Sequence, residues 1–200
     1  MILSLDTTCE SGSLALVEAG RVIAEHAMHS PDGFGHVLYG ELESFLARHN
    51  VRLHQIECFA GASGPGSFTG VRVGLAAIKG LAEATCRPAV GVSNLQAIAY
   101  FGTAPLRAAV IDARRGEVYA AVYNSDLKIV RNETVSDFAH WRATLLLPEV
   151  EFVTAPLALA VAVGQIAWRR MQAGQAHDPA ALDANYVRRS DAELLWKPPK

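Results

Sequence analysis

The sequence has few cysteines and little excess charge, and both scarcities exclude classes of function. Its three cysteines, Cys9, Cys58 and Cys86, are widely separated. Because the number is odd and no pair is spaced as C-x-x-C, neither a disulfide framework nor a cysteine zinc cluster is predicted, and a reducing cytoplasm suits such thiols. The formal net charge is −2 and no long basic run occurs. This argues against a stand-alone nucleic-acid-binding protein, whose footprint is a basic face.

Long apolar runs are also missing. The best candidate, residues 157–166, is too short and too rich in alanine to span a bilayer. The first residues read as a strand and lack the charged region and cleavage site of a secretory signal, so we expect a cytoplasmic protein without a membrane segment. Half of the 200 residues are hydrophobic, which is enough for a packed core in one domain or in two small ones.

The most distinctive stretch of the sequence is glycine-rich and lies between a predicted strand and a predicted helix. Residues 61–74 read GASGPGSFTGVRVG. Glycine permits positive φ and close approach of other backbone, and Ser67 or Thr69 can cap the helix that follows. Because a helix start is a natural anion site, we expect a phosphate- or nucleotide-binding loop, with a tight turn that binds nothing as the alternative. The predicted loop comprises Asp6, Thr7 and Thr8 at the end of the first strand together with Gly64, Gly66, Ser67 and Thr69.

The common nucleotide and hydrolase motifs do not match this stretch. A P-loop needs Lys-Ser or Lys-Thr after its last glycine, whereas a valine follows Gly70. A dinucleotide fingerprint reads G-x-G-x-x-G, whereas Gly64, Gly66 and Gly70 read G-x-G-x-x-x-G. A nucleophile elbow has glycine two residues before and two residues after its serine, which neither Ser63 nor Ser67 satisfies.

The helix after the loop is rich in small residues. A glycine inside a helix costs about 1 kcal/mol relative to alanine. Its presence therefore indicates that something lies close, either the chain's own sheet or a helix of a partner. The predicted partner interface comprises Arg72, Val73, Gly74, Ala76, Ala77, Gly80 and Leu81.

The periodicity of the whole chain predicts two similar units of mixed strands and helices. The first has strands at 2–5, 11–18, 22–28, 56–62 and 89–92. Its helices are predicted at 36–49, from the end of the glycine-rich loop to about 84, and at 94–100. The second has strands at 108–112, 118–123, 128–134 and 151–154 and helices around Trp141 and from 156 to 172. This order predicts an α/β protein of two ribonuclease-H-like lobes, as in actin, sugar kinases and Hsp70 ATPases (the ASKHA fold), with mixed sheets flanked by helices. We place the lobes at 1–104 and 105–200, the second ending in a loose tail at 194–200.

Five blocks of sequence, in order along most of the chain, resemble the bacterial TsaB (YeaZ) family. They are LDTT at 5–8, GPGSFTGVRVG at 64–74, GVS at 91–93, IDARRGEVY at 111–119 and YVR at 186–188. The resemblance implies a non-catalytic subunit that dimerises with TsaD. TsaD transfers a threonylcarbamoyl group to N6 of adenosine 37 in tRNAs that read codons beginning with adenine. TsaE, an ATPase, joins the pair, and TsaC makes the threonylcarbamoyl-adenylate donor.

The resemblance also bears on ligands and assembly. TsaD-type proteins carry an H-x-x-x-H metal motif, and Asn94 and Ile98 stand at the matching positions, so we expect no metal site and no catalysis by this chain alone. It implies an interface formed by helices of the first lobe, a homodimer when the chain is isolated, and contact with tRNA only through the complex. No cofactor is expected on this subunit alone, and whether ATP or ADP lodges at the interface of the complex stays open.

Two enzymatic alternatives remain open from the sequence. One is a metal-dependent protease or ATPase of the same fold, for which no set of nucleophile, base and orienting residue is evident. The other is a small-molecule kinase, for which Asp112 is the candidate aspartate and the adjacent Arg114 and Arg115 favour phosphate.

Overall fold

The computed structural model describes residues 1–147, 149–154, 156 and 158–188. Two sheets with helices around them follow one another along the chain. The first unit contains β1 (Ile2–Asp6), β2 (Ser11–Glu18), β3 (Arg21–His29), α1 (Leu38–Arg48), β4 (Cys58–Ala62), α2 (Phe68–Ala84), β5 (Ala89–Val92) and α3 (Asn94–Ala99). The second contains β6 (Leu106–Arg114), β7 (Glu117–Asn124), β8 (Ile129–Asp137), α4 (Phe138–Ala143), β9 (Val150–Val153) and α5 (Ala160–Gln172).

Both sheets have the same plan. The first has the strand order β3-β2-β1-β4-β5, in which β1, β2 and β3 form an antiparallel meander and β4 and β5 extend it in parallel. The second has the order β8-β7-β6-β9, again an antiparallel meander with one parallel strand beside its first member. The predicted fold of two ribonuclease-H-like lobes is therefore confirmed. The predicted tail at 194–200 lies outside the described residues.

β1 lies at the centre of the first sheet and separates two cores. Its five residues are all buried, and successive side chains point to opposite faces of the sheet. Leu3 and Leu5 belong to the core that contains α1 and α2. Ile2 belongs to the core formed with α3, α5 and the second sheet. The first sheet is thus covered on both faces, which fixes where its loops emerge.

α5 follows the second sheet in the sequence but packs on the first. The buried Ser4 hydroxyl donates a hydrogen bond of 2.7 Å to the carbonyl of Ala160, and the amide of Ala160 donates one of 3.0 Å to the Ser13 hydroxyl. A Cβ on Gly164 would lie 2.7 Å from Ser4 Oγ, so the helix backbone lies directly against β1. These contacts hold the start of α5 at Ala160, four residues after the predicted start.

The described part of the chain contains no helix that is both long and apolar enough to cross a membrane. The predicted boundary at 104/105 falls between the two sheets, in the connection from α3 to β6. The backbone amides of Thr103 and Ala104 in this connection each donate a hydrogen bond of 2.7 Å to the Glu151 carboxylate. These hydrogen bonds lower the pKa of Glu151 and attach the connection to the edge strand of the second sheet.

Candidate functional site

The glycine-rich loop after β4 closes onto the turn between β1 and β2. The amide of Ser67 donates a hydrogen bond of 2.7 Å to the carbonyl of Thr8. The Thr7 hydroxyl donates one of 2.8 Å to the carbonyl of Gly70. The Ser67 hydroxyl also accepts from the amide of Gly70, at 3.2 Å, and so caps α2. Of the two predicted capping residues, Ser67 performs the role.

The glycines of this loop are required by that close contact. A Cβ on Gly66 would lie 2.7 Å from the Thr8 carbonyl oxygen, and one on Gly70 would collide with the Thr7 carbonyl. Gly64 has φ of +100°, a backbone conformation that other residues rarely adopt. Gly66 and Gly70 thus approach the chain's own β1–β2 turn, whereas a Cβ on Gly64 would lie 3.3 Å from the carbonyl oxygen of Asn185.

A buried polar network lies beneath the loop. Asp6 Oδ1 accepts hydrogen bonds from the amide and the hydroxyl of Thr8, at 2.9 and 2.6 Å. The side-chain amide of Asn94 donates to the Thr8 hydroxyl at 2.5 Å, and its oxygen accepts from the amide of Gly64 at 3.0 Å. Burial raises the pKa of Asp6, and the hydrogen bonds from Thr8 oppose that shift.

The resemblance places the metal motif of TsaD-type proteins at Asn94 and Ile98, and both side chains have partners within this chain. Asn94 uses both atoms of its side-chain amide in the buried network. Ile98 is buried in the core between the sheets and α5. Within the described residues, no three His, Cys, Asp or Glu side chains are grouped so as to hold a metal ion.

A cleft of about 900 Å³ opens between the lobes beside the loop. The first lobe lines it with six of the residues around the turn and loop, which are Thr7, Thr8, Gly66, Ser67, Thr69 and Gly70. The second lobe contributes Asp112, Arg114 and Tyr119. The structure thus brings the predicted loop residues together at the cleft, except that Asp6 and Gly64 lie beneath its surface.

Polar side chains from both lobes that face this cleft are held by hydrogen bonds within the chain. The Thr7 and Thr8 hydroxyls are engaged with the loop and with the buried network. Asp112, the candidate aspartate of a kinase, is exposed, and its carboxylate accepts a hydrogen bond of 2.8 Å from the amide of Arg114 at the end of β6. It therefore stabilises a hairpin turn of its own lobe.

Two residues of the predicted interface, Gly74 and Ala77, lie on the side of α2 that is covered by the chain itself. Ala77 is 2% exposed, and a Cβ on Gly74 would lie 2.5 Å from Thr7 Oγ1. Both residues therefore pack against the chain's own first lobe. Of the two alternatives for these small residues, the chain's own sheet or a partner helix, the structure shows the first at these two positions. Of the remaining predicted residues, Arg72, Ala76 and Gly80 are exposed, and Val73 and Leu81 are half-buried. For these five, the interface stays a prediction.

Sequence reasoning missed a segment that joins the two lobes. The amide of Asn185 donates a hydrogen bond of 2.7 Å to the carbonyl of Ser63, and its side chain donates one of 2.6 Å to Glu133 in β8. Arg188 forms an ion pair with Glu117 in β7. The YVR block at 186–188 was the only signal of this segment in the sequence. The neighbouring Arg189 lies outside the described residues.

Comparison with known proteins gives a family model and several relatives. The model described as "TsaD: tRNA N6-adenosine threonylcarbamoyltransferase" matches residues 35–167. The chain is 34% identical over 148 residues to the tRNA threonylcarbamoyladenosine biosynthesis protein TsaB of Haemophilus influenzae, covering 70% of this chain and 60% of that protein. It is 38% identical over 129 residues to the TsaB protein of Escherichia coli, covering 62% and 55%. The chain thus spans less than two thirds of the length of these relatives.

The solved structure of YeaZ from Pseudomonas aeruginosa is similar over nearly the whole chain. The TM-score is 0.79 at 25% sequence identity, with 92% of this chain and 98% of that one covered. The agreement therefore includes both lobes and not only the glycine-rich loop.

Replacing two glycines of α2 separately tests the assignment of its faces. Gly74→Ala is expected to lower the free energy of unfolding by about 1–3 kcal/mol, because its Cβ would overlap Thr7. Gly80→Ala is the matched control in the same helix. Nothing lies within 4 Å of its Cβ position, so it should raise the free energy of unfolding by up to about 1 kcal/mol. Denaturant unfolding measures both, and equal effects of the two changes would contradict the assignment.

The buried Asp6 predicts a dependence of stability on pH. Because its pKa is raised in the folded state above the ordinary value of 3.8, the folded protein holds this proton more tightly than the unfolded chain does. Its contribution to stability is therefore greatest below that ordinary value and is lost as the pH rises through the folded pKa. Asp6→Asn removes the titration and keeps an oxygen that can accept from Thr8. The free energy of unfolding of Asp6→Asn minus that of the wild type should increase from pH 3 towards neutrality, and a constant difference would refute the prediction.

Proposed function

This chain belongs to the TsaB (YeaZ) proteins, within the family that the matched TsaD model describes, and from that premise we propose that it is a non-catalytic dimerisation subunit. Its role is to bind the catalytic TsaD-type subunit, with a TsaE-type ATPase joining the pair. The assembly threonylcarbamoylates N6 of adenosine 37 in tRNAs that read codons beginning with adenine. We place this role in the cytoplasm.

The observation that carries the proposal is the engagement of Asn94. In the resemblance described above, this position corresponds to a histidine of the metal motif in TsaD-type proteins. Here its amide joins Thr8 of the β1–β2 turn to Gly64 of the glycine-rich loop. Both polar atoms of the Asn94 side chain are hydrogen-bonded to buried partners. This supports a structural role for Asn94 at the position where a catalytic subunit would hold its metal.

The exposed side of α2 supports a role in binding. Arg72, Ala76 and Gly80 follow one another at helical spacing and are exposed. The Cβ position of Gly80 has no atom within 4 Å. Packed helices lie about 8–10 Å apart, and small side chains allow the shorter distance. A helix of the partner subunit, or of a second copy when the chain is isolated, can therefore approach α2 closely along this side.

In this role the isolated subunit binds neither tRNA nor a cofactor by itself. A net charge of −2 favours contact with tRNA through the complex and not by this chain alone. The hydroxyls of Thr7 and Thr8 are engaged internally, which supports the expectation that no cofactor binds to the lone subunit. Whether ATP or ADP lodges at the interface of the complex stays open.

Depletion of this protein in its source organism tests the proposed function. The threonylcarbamoyl modification should disappear from tRNAs that read codons beginning with adenine, and expression of the wild-type chain should restore it. Nucleoside analysis of purified tRNA by mass spectrometry measures the modification. Undiminished modification after complete depletion would contradict the proposal.

A further inference from the structure

An arginine lies between two aromatic rings at the start of the exposed side of α2. The guanidinium carbon of Arg72 is 3.5 Å from the centre of the Phe68 ring and 5.8 Å from that of Tyr186. Arg72 Nε donates a hydrogen bond of 3.0 Å to the Tyr186 hydroxyl. We refer to Phe68, Arg72 and Tyr186 as the Arg72 cluster.

The chain holds this cluster in place before anything binds to it. Phe68 and Arg72 lie in the first two turns of α2, which Ser67 caps. Tyr186 follows Asn185, whose amide is bonded to the carbonyl of Ser63. A long arginine side chain loses conformational entropy when it binds a partner. Because stacking and a hydrogen bond already order Arg72, much of this entropy is lost before binding and does not reduce the affinity.

The Arg72 cluster is exposed and its cation is not neutralised by the described part of the chain. Phe68 and Tyr186 are each 51% exposed. Among the described residues, no carboxylate lies within ion-pair distance of Arg72. Only Nε of its guanidinium has a hydrogen-bond acceptor within that part of the chain. A guanidinium offers five N–H donors in a planar fork that matches a carboxylate with two parallel hydrogen bonds.

We propose that the Arg72 cluster anchors the partner-binding side of α2 by receiving an Asp or Glu carboxylate from the partner protein. This inference rests on the proposed function, because it names the chemistry that the TsaD-type subunit must present. Arginine and tyrosine are enriched among the few residues that dominate binding energy at protein interfaces. A protein is favoured over RNA because the chain has a net charge of −2 and α2 adds only one further cation, the half-buried Lys79, which the exposed Glu83 of the same helix offsets.

The test measures the affinity of the purified chain for the TsaD-type protein of the same organism by isothermal titration calorimetry. Arg72→Ala should weaken binding by at least about tenfold, since it removes the fork and the charge. Arg72→Lys keeps the charge but loses the fork and should remain at least about threefold weaker than the wild type. Tyr186→Phe removes the hydroxyl that orients Arg72 and should weaken binding less than Arg72→Ala does. Lys128→Ala, which removes an exposed cation of the second lobe, is the control and should bind as the wild type does.

The salt dependence of binding separates the proposed contact from a structural effect. Binding of the wild type should weaken as the salt concentration rises, and Arg72→Ala should show a shallower dependence. Thermal unfolding of each variant checks that it is folded. If Arg72→Ala does not fold, the affinity of Tyr186→Phe for the TsaD-type protein tests the proposal in its place.

The possible results are distinguishable. Wild-type affinity in Arg72→Ala, with the wild type itself binding the TsaD-type protein, would overturn the role of the Arg72 cluster and leave the proposed function intact. Failure of the wild type to bind that protein would overturn both. A loss of tRNA binding in Arg72→Ala, without loss of binding to the TsaD-type protein, would also overturn the proposal and assign the cluster to nucleic acid.

Discussion

The contact between the glycine-rich loop and the β1–β2 turn is the constraint on which the rest of the site depends. Gly66 and Gly70 leave no room for a side chain next to Thr8 and Thr7, and the hydrogen bonds of Ser67 and Thr7 fix the two segments together. This contact sets where α2 begins and how it lies on the first sheet. The inner side of α2 is thereby covered and its outer side is presented to solvent.

The same contact also determines how the polar groups of the site are engaged. Hydrogen bonds connect these groups to one another, from Asp6 through Thr8 to Asn94 and the amide of Gly64. Further hydrogen bonds then run from the carbonyl of Gly64 through Asn185 to Glu133 of the second lobe. This network connects the two lobes, and its polar groups find their partners within the chain.

Local signals allowed much of the fold to be predicted from the sequence. The alternation of apolar residues gave the three-stranded meander, and the serine before each of two helices caps that helix, Ser67 for α2 and Ser93 for α3. The helical period could not show which side of α2 is covered, because Gly74 is buried by Thr7, far away in the sequence. The packing of α5 on the first sheet and the position of Tyr186 beside Arg72 depend on similarly distant contacts. These residues carry no local pattern that distinguishes them from an ordinary helix or loop.

Hydrogen exchange of the chain alone and mixed with the TsaD-type protein, read by mass spectrometry, tests the central claim most directly. If the outer side of α2 is the binding surface, peptides from residues 68–84 and from the segment around Tyr186 should exchange more slowly in the mixture. Peptides from α4 of the second lobe should exchange at the same rate in both samples, since the core around its buried Trp141 consists of second-lobe residues alone. Slower exchange confined to the second lobe, with no change in α2, would contradict the account.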